Sequence, residues 1–117
     1  MSVKQISVTE IKSMLEEGAS LKIIDVRSPE EFSEGHVQGV ALMPLPQISE
    51  DSIKALSLSP DEPLYFICRS GRRSDHAAQI FKEMGYSHSH NIIGGVLDWS
   101  AKGYEMVQGM SDEDVLV

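Results

Sequence analysis

Apolar residues in this chain gather in two kinds of run, and the two kinds alternate. One kind is nearly continuous: "LKIIDV" at 21–26, "VALM" at 40–43, "LYFIC" at 64–68 and "HNII" at 90–93. Short unbroken runs suit strands covered on both faces, where no position needs to meet water. The other kind recurs every three or four residues. Ile11, Met14 and Leu15 form one such set, and Ala77, Ala78, Ile80, Phe81 and Met84 another. That spacing predicts helices with a single apolar face.

Punctuation between the runs agrees with this division. "KQIS" at 4–7 reads as a short first strand, and Ser7-x-x-Glu10 as a capping box that starts a helix ending near Gly18. Ser28-Pro29-Glu30-Glu31 combines an N-cap, a proline at the first helical position and a glutamate three residues on, so a short helix should run to Gly35. "ISEDSIKALSL" has a weaker helical spacing, and "SPDEP" reads as a turn. Ser74 is the expected cap of the helix that ends at Gly85. Gly94-Gly95 is a break before a short helix, "VLDWSAKG", with Leu97 and Trp99 expected in the core. Strands alternating with helices predict an α/β fold, a parallel sheet with helices on both faces. Residues 1–104 form one expected domain, and 105–117 a loose acidic tail.

Charge narrows the partners. The net charge of -8 over 117 residues argues against nucleic acid and against an anionic membrane, both of which need a basic face. No apolar run reaches the roughly 18 residues that span a bilayer, and "MSVKQISVTEIKS" lacks the apolar segment of a secretory signal. A cytoplasmic protein is the expectation, and a single cysteine, unable to form an internal disulfide, fits a reducing compartment. Within this acidic body the arginines are clustered: of Arg27, Arg69, Arg72 and Arg73, three fall within five residues. A local positive pocket of this kind suits a small anion.

That cluster surrounds the only thiol. "CRSGRRS" places Cys68 at the carboxyl end of the clearest strand, where open α/β sheets bind ligands, and Gly71 permits a sharp turn into the next helix. The backbone N–H groups of such a turn converge on one point, backed by the positive helix end. A thiol held there, close to Arg69, Arg72 and Arg73, should ionise more readily than a free cysteine and act as a nucleophile without a histidine partner. The plainer alternative is a small buried hydrophobe. Three guanidinium groups around an inert thiol would each need a partner, which favours the reactive reading.

Three segments together resemble the rhodaneses, the single-domain sulfurtransferases. "IIDVRSPEEFSEGHVQGVALMPL" is similar to the family's D-V-R…E-F…G-H-I-x-G-A…P stretch, "CRSGRRSDHAAQIFKEMGY" to its active-site loop and helix, and "NIIGGVLDWSAKGYEM" to its closing G-G…W…G-Y segment. The resemblance implies a rhodanese-like, five-stranded, mostly parallel sheet and a six-residue loop from Cys68 to Arg73. It also implies a Cys68 persulfide formed from a small anionic sulfur donor such as thiosulfate. Arg69, Arg72 and Arg73 would hold the donor or the departing sulfite, with Ser70, Gly71 and Ser74 completing the binding loop. The acceptor would be cyanide in an assay or a small-molecule or protein thiol in the cell. No metal or organic cofactor is implied. Val40 and Leu42 depart from the family's usual alanine and asparagine, which bears on packing and not on chemistry. The arginine-rich loop favours thiosulfate over mercaptopyruvate as donor.

Two other functions compete. Cysteine phosphatases and arsenate reductases separate cysteine from arginine by five residues, and here that position is Ser74. A loop one residue shorter is too small for a tetrahedral phosphate. A carrier that passes sulfur to a specific protein partner, with little small-molecule turnover, is the closer alternative. With no second cysteine, a persulfide here needs an external acceptor. Asp25 and Arg27, at the end of the second strand, are expected either below the loop as support for it or as a brace of the strand ends. His36 reads as a turn-packing residue, and His88 and His90 as a surface pair without a third metal ligand.

Overall fold

The computed structural model describes residues 3–116. Five strands alternate with five α-helices: β1 (Lys4–Ser7), α1 (Val8–Glu16), β2 (Lys22–Asp25), α2 (Pro29–Glu34), β3 (Ala41–Leu42), α3 (Glu50–Ala55), β4 (Leu64–Ile67), α4 (Arg72–Glu83), β5 (Ser89–Ile93) and α5 (Gly95–Ala101). The capping boxes are where local sequence sets the boundaries. The Ser7 hydroxyl accepts the Glu10 N–H at 3.1 Å, and the Ser28 hydroxyl accepts the Glu31 N–H at 3.2 Å. Each takes up a backbone donor that the first helical turn leaves without a partner.

The sheet runs β1-β5-β4-β2-β3, and every pairing is parallel. The order places β4 in the middle, so its residues are covered on both sides, and its four positions are all buried. Val8 and Ile11 of α1, Phe32 of α2, and Val96 and Trp99 of α5 pack with Ile23, Tyr65 and Ile92 on one face. Ile53 of α3 and Ala77, Ala78 and Phe81 of α4 pack with Ile24 and Phe66 on the other. Two cores around one sheet explain why strand runs are unbroken in sequence while each helix carries a single stripe.

Val40 and Leu42 are buried in the first of these cores, so the two departures from the family pattern are absorbed by packing. Leu97 is a correction: it is 47% exposed. The α5 stripe runs through Val96 and Trp99, and the position after Val96 lies about 100° round the helix. The segment after Tyr104, expected to be loose, is tied to the body. Its backbone pairs with His36 through two 2.8 Å bonds at Val107, the Trp99 indole donates to the Glu105 carbonyl, and Val115 pairs in parallel with Leu42. The exposed edge beside β3 thereby gains a partner that acidic composition alone did not suggest. Among the described residues, no helix is long and apolar enough to cross a membrane.

Candidate active site

Alternation along β4 aims Leu64 and Phe66 at the α4 side, and Cys68, the next residue of that phase, packs there at the carboxyl end of the strand. Arg69, Ser70 and Gly71 make the turn, and α4 starts at Arg72. The helix cap is therefore Gly71, with φ at +105°, and not Ser74 as the sequence suggested. Only glycine adopts that angle without strain. The loop before the helix is thus shorter than the six residues implied by the resemblance, and Arg72 and Arg73 belong to the first helical turn.

From behind, α5 braces the loop. The Val96 N–H donates to the Cys68 carbonyl at 2.9 Å and the Leu97 N–H to the Arg69 carbonyl at 3.0 Å. This close approach needs Gly95, where φ is +55° and a Cβ would fall 2.7 Å from the Arg69 oxygen and overlap the Cys68 oxygen. Gly95→Ala is expected to lower the unfolding free energy by about 3 kcal/mol, because backbone must move on both sides. A urea titration checks this, and a loss under about 1 kcal/mol would show that the brace is not tight.

Cys68 is 1% exposed. Its Sγ accepts the Gly71 N–H at 3.1 Å, and the Ser74 Oγ lies 3.3 Å away. Burial pushes the thiol up, but hydrogen bonds from the Ser74 hydroxyl and from the Ser74, Gly71 and Ser70 amides outweigh it, so the pKa lies below the ordinary thiol value. The sequence credited the helix terminus together with the arginines; in the structure, hydrogen bonds within the loop and first helical turn are the main lowering causes, and Arg73 interacts with the thiolate by charge.

The arginines divide into two kinds. Arg73 Nη1 and Nη2 donate to the two carboxylate oxygens of Glu31 at 2.8 and 2.9 Å. The hydrogen bond from Arg73 holds the Glu31 pKa down at about 2. Arg69 and Arg72 are exposed and form no salt bridge among the described residues. Net positive charge at the loop therefore rests on two side chains rather than three. The Asp25–Arg27 pair is closed on itself: Nε and Nη2 of Arg27 meet both Asp25 oxygens at 2.8 to 3.1 Å, and Nη2 also donates to the Gly35 carbonyl at 2.7 Å. Asp25 further accepts the Arg27 N–H, so the pair braces the end of β2.

Arg27, Glu31, Gly35, Arg69 and Leu97 line a cleft of about 310 Å³ beside the loop. His36, as expected, packs in its turn, stacked on Phe32 with ring centroids 3.7 Å apart. His90 stacks on Tyr65, and His88 is exposed. The described residues hold no cluster of three metal-binding side chains.

Three residues at the site escaped sequence reasoning. Glu31 was visible only as a capping residue, since its partner lies 42 positions away. Asn91 and Gln5 join Ser74 in a polar network that runs from the buried Ser74 and Asn91 out to the exposed Gln5, with Ser74 Oγ 2.6 Å from Asn91 Oδ1 and Asn91 Nδ2 donating to Gln5 Oε1 at 2.8 Å. The polar asparagine inside the run "HNII" was the one available signal, because a polar side chain in a covered strand needs a partner.

Comparison with known proteins supplies the remaining context. A family model described as a rhodanese-like domain matches residues 7–102. The chain is 36% identical over 101 residues to YrkF of Bacillus subtilis, whose name refers to a sulfur carrier protein; the match covers 86% of this chain and 53%, about half, of that protein. It is 39% identical over 75 residues to the thiosulfate sulfurtransferase PspE of Escherichia coli, covering 64% of this chain and 70% of PspE. The solved structure of the human single-domain sulfurtransferase TSTD1 superposes with a TM-score of 0.72 at 27% identity, covering 86% of this chain and 97% of the human one.

Proposed function

This chain belongs to the rhodanese-like family of sulfurtransferases and sulfur carriers, and we propose that it moves a sulfane sulfur from thiosulfate or a related anionic donor to a thiophilic acceptor through a Cys68 persulfide. The observation that carries this reading is the Cys68 Sγ held 3.1 Å from the Gly71 N–H at the carboxyl end of the central strand, with its pKa lowered. Thiolate attacks the outer sulfur of the donor, an S–S bond forms to Sγ, and the bond to the sulfonate sulfur breaks with its electron pair on sulfite. The persulfide anion keeps the charge that the thiolate brought. An acceptor thiolate or cyanide then attacks the terminal sulfur and returns Cys68 as thiolate. Loop amides stabilise sulfur-centred charge in both steps without reorganising.

Donor capture falls to Arg69 and Arg72, whose guanidinium groups are not already neutralised. Arg72→Ala is expected to raise the KM for thiosulfate about tenfold, the worth of one charge-assisted hydrogen bond, with little change in folding. An unchanged KM removes Arg72 from the donor site. Arg73, engaged by Glu31, positions α2 against α4 in this reading. Near-complete burial of Sγ restricts attack to a donor with a narrow, protruding outer sulfur. A working free thiol fits a reducing compartment, and the cytoplasm is the location this reading adopts.

The direct test is intact mass after exposure to thiosulfate. One added sulfur atom, removed by cyanide as thiocyanate, is the expected result. A mass that stays unmodified with thiosulfate and polysulfide alike overturns the reading. The name of YrkF favours a second version, in which a protein partner takes the sulfur. A stable persulfide without turnover toward cyanide or small thiols would select that version.

A further inference from the structure

Ser74 is fully buried and owns one hydroxyl proton, yet two acceptors face it: Asn91 Oδ1 at 2.6 Å and Cys68 Sγ at 3.3 Å. Which of them receives the proton is settled at the far edge of the sheet. Gln5 Nε2 lies 2.8 Å from Asp75 Oδ1 and 3.3 Å from the Val3 carbonyl, both pure acceptors, so the Gln5 amide cannot be turned over without setting oxygen against oxygen. Gln5 Oε1 must therefore face Asn91, and Asn91 must offer it Nδ2, at 2.8 Å. That leaves Asn91 Oδ1 facing Ser74. Asp75 is itself fixed by Gln79 Nε2 at 2.9 Å and by its N–H to the Gly71 carbonyl at 3.2 Å.

We propose that Gln5 and Asn91 are positioning residues for the Cys68 proton: by claiming the Ser74 hydroxyl proton, they make Ser74 an acceptor toward Cys68 in the resting thiol. All donors then run one way, from Cys68 S–H to Ser74, Asn91, Gln5 and the Asp75 carboxylate. When Cys68 ionises, Ser74 turns its proton to the thiolate, which is the hydroxyl bond that helps lower the pKa, and strands the buried Asn91 carbonyl oxygen, so the relay diminishes the lowering that Ser74 gives. The loop amides pull toward the thiolate and the relay pulls against it. In a persulfide the charge sits on the outer sulfur, one bond beyond Sγ, so the conflict is confined to the unloaded protein. The last statement rests on the persulfide reading; the relay itself does not.

Other charged groups lie on the loop and on the elements that flank it. These are Arg69 on the loop, Arg72 and Arg73 on α4, Glu31 on α2, the Asp25–Arg27 pair at the end of β2, and Asp98 on α5. On β5, His90 lies against Tyr65, which packs in the core on the opposite face of the sheet. None of these groups contacts Gln5 or Asn91 through the bonds above.

The test is the pH dependence of alkylation of Cys68 by iodoacetamide in the full chain. Asn91→Leu frees the Ser74 proton and is expected to lower the Cys68 pKa by about one unit, the size of one hydrogen bond to an ionised group. Gln5→Leu, on an exposed position of an edge strand where folding is not at risk, should lower it in the same direction by less. In a Ser74→Ala background the Gln5 substitution should have no effect. A raised pKa in Asn91→Leu, no shift in Gln5→Leu, or a Gln5 shift that persists without Ser74 overturns the relay. Thiosulfate loading, followed separately by mass, reports on the persulfide reading. A chain that takes no sulfur yet shows these shifts would refute that reading and keep the relay.

Discussion

Cys68→Ser is expected to reduce sulfur transfer to background, a loss of about 10³-fold or more, and to eliminate the one-sulfur mass gain with thiosulfate. The substitution replaces one atom. A serine oxygen at this position still accepts the Gly71 N–H, so the loop and the α4 cap keep their geometry. What disappears is the chemistry: the hydroxyl does not ionise near neutral pH, and oxygen does not form the soft sulfur–sulfur bond on which both half-reactions depend. The chain has no second cysteine to take over. Circular dichroism of the variant should match wild type, which separates lost chemistry from lost folding. Retained turnover, or a sulfur adduct in the variant, would place the reacting group elsewhere.

Asp25→Ala is expected to produce the largest loss of stability from a single side chain, about 3 to 5 kcal/mol. Asp25 is fully buried and Arg27 is 5% exposed, so removing the carboxylate leaves a guanidinium charge under the sheet with only the Gly35 carbonyl as partner. The aspartate also accepts the Arg27 N–H, a backbone donor that would lose its partner too. Replacing both residues, as Asp25→Ala with Arg27→Met, should be less damaging than the single change, because no charge is then stranded. Urea unfolding of the three proteins measures both statements. A single variant within about 1 kcal/mol of wild type would mean that the pair is solvated and braces nothing. Since Arg27 and Gly35 line the cleft beside Arg69, the single variant is also expected to weaken donor binding.

These two predictions draw on different kinds of information. Cys68 stood out in sequence because "LYFIC" must end a strand and Gly71 must turn the chain, and both are local requirements of the backbone. Asp25 and Arg27 were visible as neighbours at a strand end, but their closed geometry was not, because two residues apart on a strand does not reveal burial. Ser74 shows the limit most clearly. Its position after a loop suggested a cap, yet the helix begins earlier at Gly71, and the hydroxyl is turned inward to Cys68 and Asn91. Leu97 was misplaced because a short helix with two adjacent apolar residues does not say which of them faces the core.

Taken alone, the residue pattern determined the alternation of strands and helices, two capping boxes, a sheet covered on both faces, and the one thiol with its glycine turn. Each follows from interactions within a few residues, or from how often an apolar position recurs. Tertiary structure decided which charges remain available and which proton goes where. Arg73 is neutralised by Glu31 from α2, the segment after Tyr104 is held by His36 and Leu42, and the Ser74 hydroxyl answers to Gln5 on the opposite edge of the sheet. Those partners are brought together by the order β1-β5-β4-β2-β3, and a hydrogen bond or ion pair between residues dozens of positions apart leaves no periodic trace in the chain.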